Sequence, residues 1–565
     1  MARCVRVVTE NAAVDRAFDY ELNDTQYHVG VGDRVRVDFN NRSLRGWVTG
    51  EVAATREMKP VRKWLGLGPA PEMMGLLEWA SRRWCAPLSR FLLAASPSVI
   101  VRELPPVPPW RDLDPTIAAQ AQAVPPGVVL VSPTQDPLAL ILHAHLSTAR
   151  QPGSLLVLVP TEAWAQRLRG RLEQRGCAVA HGEGEWDRMR AGWSVIVGAR
   201  GAALAPTPRV RAAVVVDADD EAYRSQSSPT WDAATMLMQR CRRDEAPLWL
   251  TSVAPSPTLM AWAPTDAWGE VPSGWPRVDV RDRREADPHD GVLSRATLDA
   301  AHHALRGDEA VAVVVVLQRL GHGRLFACRR CGELARCAVC AQAEVEMGEL
   351  VACAEAHEPR ANFCRACGAT NLKKVRVGVS TLARDVAAQL SQRVDEVTAA
   401  TTEDITARVV VGTEAVFGRV RRCALVVFVD FDQYLLAPRE SARRSALVAV
   451  AKAGRLVGSR REGRGEVVVQ TRRHDEVIDA LVSGDVRGVI EEDAATAKLL
   501  GAPPFGARAE VTGEAAAEFA ALVGESLRVR RVDDAYVVTA GNVDELTRVL
   551  GETPRPGGRM RLEVF

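Results

Sequence analysis

Cysteines are the residues of this sequence whose spacing most plainly indicates chemistry. Seven of the twelve fall between positions 328 and 367. They form two C-x2-C pairs separated by five residues, then a single cysteine, then a third C-x2-C pair. A C-x2-C turn presents two thiolates to one tetrahedral Zn²⁺ ion, and a structural site closes with a second such pair. In a long chain this pattern indicates metal binding rather than a disulfide framework.

The five-residue spacer is too short to fold the first two pairs around one ion, so we predict two interleaved zinc sites. The first and last pairs form zinc site one: Cys328, Cys331, Cys364 and Cys367. The remaining cysteines begin zinc site two, with a histidine as the candidate fourth ligand: Cys337, Cys340, Cys353 and His357. Water or Glu355 is the alternative to that histidine. Both sites are expected to be structural, because no acid/base group accompanies an open coordination position.

The elements that must position these residues follow an α/β pattern. Short, wholly apolar runs are typical of parallel strands that are buried on both faces. One set of runs lies at 128–131, 155–159, 195–197, 212–216 and 248–251. A second set lies at 311–317, 408–411, 425–429 and 466–470. The cysteine block interrupts the second set, and a break rich in proline, tryptophan and charge, at about 264–290, separates the two predicted lobes.

The remaining segments predict smaller units. Residues 1–65 alternate in strand fashion around a turn at Asn40, which indicates a small β-rich unit. Residues 71–100 have helical spacing, and a proline-rich linker follows at 105–109. The last segment, about 495–565, reads as a small α+β unit.

Composition limits the classes of function. The 565 residues carry 72 basic and 71 acidic side chains, so a nucleic-acid partner must be held by local patches rather than by a global field. No apolar run approaches the ~20 residues of a membrane-spanning helix. The first residues, Met-Ala-Arg-Cys-Val, lack the apolar core of a signal peptide. We therefore expect a cytoplasmic protein with no membrane partner.

Several motifs resemble the bacterial replication-restart helicase family PriA, also called primosomal protein N′. The cysteine block, with Leu-Gln-Arg-Leu-Gly-His-Gly before it and Val-Gly-Val-Ser-Thr after it, is similar to the family's zinc region. Ala-Phe-Asp-Tyr at 17–20 and Gly-Asp-Arg-Val-Arg-Val-Asp-Phe at 32–39 look like its N-terminal 3′-end-binding domain. The resemblance covers nearly the whole chain. In the family the fourth ligand of the second zinc site is a cysteine, which falls at Ala356 here.

The resemblance implies a multidomain α/β protein with two helicase-like (RecA-like) parallel-sheet lobes. The expected division is a 3′-DNA-end-binding β domain at 1–68, a winged-helix-like unit at 69–104, a linker at 105–126, lobe 1 at 127–263, lobe 2 at 290–494 with a zinc insertion at 326–370, and a C-terminal domain at 495–565.

The N-terminal pocket of the family grips the 3′-terminal nucleotide of a nascent strand. By position, Asp19 would accept a hydrogen bond from the free 3′-OH, with Phe18 and Tyr20 shaping the pocket around the base. Lys59 falls where the family has a pocket lysine, and a family glycine is replaced by Asn40. Without the resemblance, the same two aromatic residues would be interpreted as core residues at a strand end.

The motor motifs of such a helicase are altered. Phosphate binding uses G-x-x-x-x-G-K-[ST], but this chain has Pro137 in place of the lysine and Leu138 in place of Ser/Thr. Where the family has Asp-Glu-Glu-His, residues 217–220 are Asp-Ala-Asp-Asp, so Ala218 replaces the glutamate that activates water. A one-residue shift in register would leave Asp219 or Glu221 near that position. We expect no ATP hydrolysis and a vestigial ATP site.

The resemblance implies a factor that recognises stalled or abandoned replication forks through the 3′ end of the nascent strand. It would promote reloading of the replicative helicase, in the cytoplasm at the nucleoid, without helicase activity of its own. The implied partners are forked and single-stranded DNA, primosome proteins, the replicative helicase and single-strand-binding protein. The alternatives are an active ATP-dependent 3′→5′ DNA helicase with unconventional residues, and a zinc-stabilised scaffold that no longer binds DNA.

Overall fold

The computed structural model describes most of the chain. The described residues are 3–12, 16–40, 42–53, 58–263, 265–267, 271–284, 291–318, 326–328, 330–331, 333, 335–338, 344–347, 350–353, 359–370, 372–374, 379–437, 440–532 and 534–565. Within them, two large sheets are parallel, and the sheets at the two ends of the chain are antiparallel. The structure thus confirms the expected multidomain α/β class, with two parallel-sheet lobes and a small β-rich N-terminal domain.

The N-terminal domain is a five-stranded antiparallel sheet around a small apolar core. Its strands are β1 Arg3–Thr9, β2 Ala17–Leu22, β3 Arg34–Phe39, β4 Arg42–Val52 and β5 Lys63–Gly66. Their order in the sheet is β2-β1-β4-β3-β5. Because side chains of a strand alternate between the two faces, Val35 and Val37 are fully buried in the core while Arg36 is exposed on the outer face. Asn40 occupies the left-handed region at φ 44°, at the position of the predicted turn.

Two helices follow this sheet and cover part of its outer face. They are α1 Met74–Arg83 and α2 Leu88–Ala94. The Trp47 indole N–H donates to Ser96 Oγ at 2.8 Å, which joins the sheet to the chain just after α2. Residues 69–104, all described, contain no strand, so the hairpin of a winged helix is not formed there. Instead the chain runs beside β5, where the Leu67 N–H donates to the Val101 carbonyl.

Lobe 1 is a sheet of seven parallel strands with helices on both faces, reached through a short linker helix, α3 Pro115–Ala118. Its elements are β6 Gly127–Leu130, α4 Leu138–Ser147, β7 Ser154–Leu158, α5 Glu162–Glu173, β8 Val179–His181, α6 Trp186–Ala191, β9 Val195–Gly198, β10 Val210–Val215, α7 Ala233–Asp244, β11 Leu248–Ser252, α8 Pro257–Trp262 and β12 Thr265–Ala267. The strand order is β12-β6-β11-β10-β7-β9-β8. Thr161 and Asp232 begin α5 and α7 by accepting backbone N–H hydrogen bonds at the N-caps.

Lobe 2 is a second parallel sheet, and the cysteine block is an insertion in it. Its elements are β13 Arg277–Asp282, α9 Arg295–Leu305, β14 Val313–Val316, the block strands β15 Phe326–Cys328, β16 Glu344–Met347, β17 Leu350–Cys353, β18 Arg360–Ala361 and β19 Leu372–Lys374, then α10 Val379–Leu390, β20 Val394–Val397, β21 Val409–Gly412, α11 Val416–Arg419, β22 Leu425–Phe428, α12 Asp432–Leu435, α13 Ala442–Val457, β23 Glu466–Thr471, α14 Glu476–Ser483 and α15 Arg487–Leu500. The strand order is β13-β23-β22-β14-β21-β20. The block leaves the sheet after β14 and returns at α10.

The structure corrects the predicted break between the lobes at 264–290, because both sheets extend into this segment. β12 pairs with β6 beyond the predicted end of lobe 1 at residue 263, and β13 pairs with β23 before the predicted start of lobe 2 at residue 290. β13 alternates charged and apolar residues and lies at the edge of its sheet, which is why a search for wholly apolar strands misses it. The predicted boundary at 494 also changes, since α15 runs through it.

The C-terminal domain has a β-α-β-β-α-β arrangement. Its elements are β24 Ala507–Gly513, α16 Ala516–Val523, β25 Arg528–Val532, β26 Ala535–Ala540, α17 Val543–Glu552 and β27 Met560–Val564. The antiparallel order β25-β26-β24-β27 is that of a ferredoxin-like unit. It packs on lobe 1, where the Thr230 hydroxyl donates to the Leu562 carbonyl at 3.3 Å. None of the helices in the described ranges combines the length and hydropathy needed to span a bilayer.

Candidate functional site

Strand β2 carries three of the predicted DNA-end residues, on alternating faces. Phe18 and Tyr20 face the domain core, where the Phe18 ring lies 4.7 Å from the Phe39 ring. Tyr20 is 3% exposed and its hydroxyl donates to the Asp38 carbonyl at 3.2 Å. Asp19 pairs across the sheet with Arg6, on the outer face. The aromatic residues therefore support the strand, and the carboxylate is the group that faces outward.

Two cations accompany this strand, and the sequence reasoning missed both. The Arg6 Nε donates to Asp19 Oδ1 at 3.0 Å, and this hydrogen bond with the carboxylate raises the pKa of the guanidinium. The Arg16 guanidinium lies 4.8 Å from the centre of the Phe18 ring. The cross-strand register that brings residue 6 opposite residue 19 is the signal that could have found the first of these cations.

The segment around Lys59 lies beside the end of β2. The Lys59 carbonyl accepts a hydrogen bond from the Glu21 N–H at 3.0 Å, and the Val61 N–H donates to the Glu21 carbonyl at 2.9 Å. The Lys59 side chain is exposed. The structure thus brings the four predicted residues to neighbouring positions of one sheet edge, and their role in DNA binding stays a prediction.

The four cysteines of predicted zinc site one converge. All four sulfur atoms lie within 4.8 Å of one another, with 3.5 Å between Cys328 and Cys367 and 3.5 Å between Cys331 and Cys364. Tetrahedral Zn²⁺ with Zn–S bonds of ~2.3 Å places its sulfur ligands roughly 3.8 Å apart. The donor set and its spacing therefore fit one zinc ion, which would be a structural site with no open position.

The surroundings of Cys328 favour loss of its thiol proton. Burial alone would raise the pKa of this thiol, but backbone N–H groups of Cys331 and Arg330 and the neighbouring thiols lower it to about 7. Burial raises the pKa of the Cys331 thiol to about 12. Thiolates are the form that binds zinc, so the metal must displace protons from the set as it binds.

The predicted second zinc site is described only in part. Cys337 and Cys353 are both 7% exposed, and Cys353 ends β17 opposite Glu344 of β16. Cys340 and the candidate fourth ligand His357 lie outside the described residues, so the composition of this site stays a prediction.

The turn after β6, where a phosphate-binding loop would lie, is occupied by the chain's own side chains. The Asp136 carboxylate accepts a hydrogen bond from the Leu138 N–H at 3.1 Å, at the first turn of α4. Burial raises the pKa of this carboxyl, but its pair with Arg171 and the Leu138 N–H lower it overall. The Thr134 hydroxyl donates to the Gly274 carbonyl at 3.1 Å. An anion at this helix terminus would meet a carboxylate already in place.

Three acidic residues that follow β10 meet three cations of α13 across the gap between the lobes. Asp217 and Arg455 form a two-bond pair at 2.6 and 2.7 Å. The other two pairs are Asp219 with Arg444 at 2.9 Å and Asp220 with Lys452 at 3.0 Å. We call these six residues the interlobe ladder. Positions 444, 452 and 455 lie on one side of a helix, and this spacing is the signal that sequence reasoning missed.

The backbone around the interlobe ladder is packed closely. Asp217 adopts φ 52°, a left-handed conformation that Asp tolerates and that turns the acidic segment toward α13. The Arg455 Nε donates to the Pro133 carbonyl at 3.1 Å, and a Cβ at Gly454 would lie 2.9 Å from Pro276 Cδ. The cavity left along the ladder measures about 10 Å³, the space of a single water molecule.

Comparison with known proteins shows that the N-terminal domain is similar to a DNA-binding domain. Residues 6–97 match the family model described as PriA 3′DNA-binding domain (3′BD). This match includes Phe18, Asp19, Tyr20 and Lys59.

Similar proteins carry the name replication restart protein PriA. The protein of Thermotoga maritima is 22% identical over 415 residues, which are 66% of this chain and 55% of the relative. The protein of Synechocystis sp. is 25% identical over 416 residues, which are 62% of this chain and 48% of the relative. The protein of Treponema pallidum is 30% identical over 171 residues, which are 28% of this chain and 24% of the relative. The chain spans about half the length of the first two relatives.

Solved structures match this chain only at low sequence identity and low TM-score. Yeast Dbp5 bound to RNA and ADP BeF3 gives a TM-score of 0.36 at 12% identity, covering 76% of this chain and 98% of that one. A DEAD box protein of Methanococcus jannaschii gives a TM-score of 0.27 at 9% identity, covering 64% of this chain and 86% of that one. From the family model and the named relatives together, the chain is PriA-like: its N-terminal domain matches the 3′ DNA-binding domain of PriA, and its sequence is similar to replication restart proteins.

Proposed function

We propose that this protein binds stalled or abandoned replication forks at the 3′ end of the nascent strand and promotes reloading of the replicative helicase, without hydrolysing ATP. The observation that carries the proposal is the match of residues 6–97 to a 3′ DNA-binding domain. Its partners would be forked and single-stranded DNA, single-strand-binding protein and the primosome proteins, at the nucleoid in the cytoplasm.

The proposed contact is a hydrogen bond from the terminal 3′-OH to Asp19. A carboxylate accepts several hydrogen bonds, so Asp19 can receive the hydroxyl while Arg6 donates to Oδ1. A 3′-phosphate brings negative charge against the same carboxylate and is disfavoured. Lys59, exposed beside the end of β2, would contact a neighbouring phosphate.

Two features support a fork-binding role without a motor. Pro137, Leu138 and Ala218 replace side chains that phosphate binding and water activation require. The interlobe ladder pairs the acidic segment that would hold a metal with cations of α13, and Asp217 is engaged by Arg455 through two bonds. An active 3′→5′ helicase would have to open this ladder to admit a nucleotide.

Fork binding is tested by fluorescence anisotropy with forks that carry either a 3′-OH or a 3′-phosphate on the nascent strand. We expect tighter binding of the 3′-OH fork, and Asp19→Ala should erase the difference by removing a charge-assisted hydrogen bond of about 1.5–3 kcal/mol, roughly 10- to 100-fold in affinity. Asp24→Ala, an exposed acid of the same domain, is the matched control and should keep the preference. Equal binding of both forks by the unmodified protein would contradict the pocket assignment.

ATP turnover is measured on the same preparation, with and without the 3′-OH fork. We expect no turnover above a mock preparation while fork binding is clear. Fork-stimulated turnover that disappears in Asp217→Asn would establish the helicase alternative instead. Absence of fork binding altogether would favour the zinc-stabilised scaffold.

A further inference from the structure

Three cations lie directly opposite one another across three strands of the N-terminal sheet. Arg36 of β3 faces Arg45 of β4 on one side and Lys63 of β5 on the other. Residues opposed in this way share a face and have Cβ atoms ~4.5–5.5 Å apart. All three side chains are exposed on the outer face. We call Lys63, Arg36 and Arg45 the cationic row.

The cationic row is only partly neutralised by the chain. Arg45 Nε pairs with Glu10 at 2.7 Å, and the neighbouring Asp38 is paired with Arg62 at 2.7 Å. Arg36 and Lys63 have no acidic partner among the described residues. Like charges that oppose one another across strands destabilise a sheet, so such a row indicates an external anion that offsets the repulsion.

The surroundings show the same excess of positive charge. Burial and the nearby Arg45 guanidinium both lower the pKa of Arg34, whose side chain is held by the Pro97 and Val99 carbonyls. Arg34 and Arg36 are two apart on β3 and therefore share the outer face.

The dimensions of the cationic row match a DNA backbone. Adjacent strands are ~4.8 Å apart, so the row extends about 10 Å across the sheet. One DNA strand presents a phosphate every ~3.4 Å along the helix axis, so the row spans about three phosphates. Asp19 lies on the same outer face, and its partner Arg6 is opposite Gly50, five residues along β4 from Arg45. Trp47 lies between these two positions and is buried under the segment that follows α2, so a DNA strand that joins them passes around this cover.

We propose that the cationic row binds the phosphate backbone of the nascent DNA strand whose 3′ end lies at Asp19. This inference rests on the proposed function, since it assigns a second contact to the same bound strand. Contacts of this kind are independent of base sequence, because Arg and Lys meet phosphate oxygens only. They contribute affinity and salt dependence, whereas the 3′ pocket contributes the preference for a free hydroxyl.

The test is the salt dependence of fork binding by the full chain, measured by anisotropy with a 3′-OH fork for Arg36→Gln, Lys63→Gln and the double variant. Each phosphate contact contributes a slope of about 0.7–0.9 in log K against log salt, and we expect the slope to decrease by that amount per cation removed. The affinity lost between about 50 and 200 mM salt should then shrink roughly 3-fold for each. Lys498→Gln, an exposed lysine of α15, is the matched control and should leave the slope unchanged.

The outcomes separate the two proposals. A reduced slope with an unchanged ratio of 3′-OH to 3′-phosphate affinity supports the cationic row. An unchanged slope in the double variant, with the 3′-OH preference intact, overturns the cationic row and leaves the proposed function standing. No fork binding by the unmodified protein overturns the proposed function itself.

Discussion

The interlobe ladder and the cationic row each contain three cations, in opposite electrostatic settings. In the ladder every cation of α13 has an acidic partner from the segment after β10, at 2.6 to 3.0 Å. In the row the cations face one another, and Arg36 and Lys63 have no acidic partner in the described part of the chain. Paired charges stabilise an arrangement of the protein and present little field to an external anion. Unpaired charges cost stability and are available to a ligand.

The predicted zinc site extends this comparison to a cluster of negative charges. Removing one of its cysteines should have the largest effect on stability of the changes considered. Four thiolates at 3.5 to 4.8 Å from one another repel unless a cation joins them. Structural zinc contributes an apparent ~10–16 kcal/mol to folding in small domains, so Cys364→Ser should unfold the cysteine block and reduce bound zinc by one ion per chain. The measurement is colorimetric zinc release. Cys423→Ala, a buried cysteine outside the block, is the control, and equal zinc release by both variants would contradict the assignment.

Breaking the ladder at its tightest pair should have the next largest effect. Asp217→Asn leaves the Arg455 guanidinium partly buried without its partner, and removing one member of a buried pair costs about 3 kcal/mol. The measurement is chemical unfolding. The double variant Asp217→Asn/Arg455→Met should recover about 1–3 kcal/mol relative to the sum of the single changes. Additive single effects would mean that the pair does not couple the lobes.

Two neighbouring acids in lobe 2, Asp430 and Asp432, extend the comparison to like charges that make stability depend on pH. Burial, with Asp432 nearby, raises the pKa of Asp430 to about 6. The folded state therefore holds this proton more tightly than the unfolded chain, with its usual pKa of ~3.9. The stabilisation that this proton gives the folded state is fully present below about pH 4 and is lost as the pH rises through 6. The free energy of unfolding should fall by about 2–3 kcal/mol over this range. Asp430→Asn should flatten this pH dependence, and an unchanged slope in the variant would contradict it.

The smallest effect is expected from the cationic row in the absence of DNA. Arg36→Gln removes two like-charge contacts and should raise the free energy of unfolding by about 0.5 kcal/mol at low salt. The gain should vanish near 1 M salt, where screening acts within ~3 Å. Thermal unfolding at the two salt concentrations measures it. A variant less stable than the unmodified protein at low salt would show that Arg36 is held by favourable contacts.

Local patterns predicted much of this molecule. Buried parallel strands were identified from apolar runs, and the four cysteines of zinc site one from C-x2-C spacing, because both depend on neighbours in sequence. β13 was missed because an edge strand with alternating charge lacks that pattern. The ladder was missed because its pairs join positions more than 220 residues apart, as with Asp219 and Arg444. The cationic row could be recognised only from the strand register that places Arg36 opposite Arg45 and Lys63, and this register cannot be read from the composition of the chain.

The position of β13 has a consequence for synthesis of the protein. It is the first strand of lobe 2 along the chain, yet its partner β23 is the last, with Arg277 opposite Glu466, 189 positions later. At ~5–20 residues per second, a ribosome takes roughly 10–40 s to produce that partner. During this time the first strand has no place in its sheet, while β12 can already join lobe 1. Lobe 2 therefore closes only when its final strand emerges, and the cysteine block has been made and can take up metal before the sheet that carries it is complete.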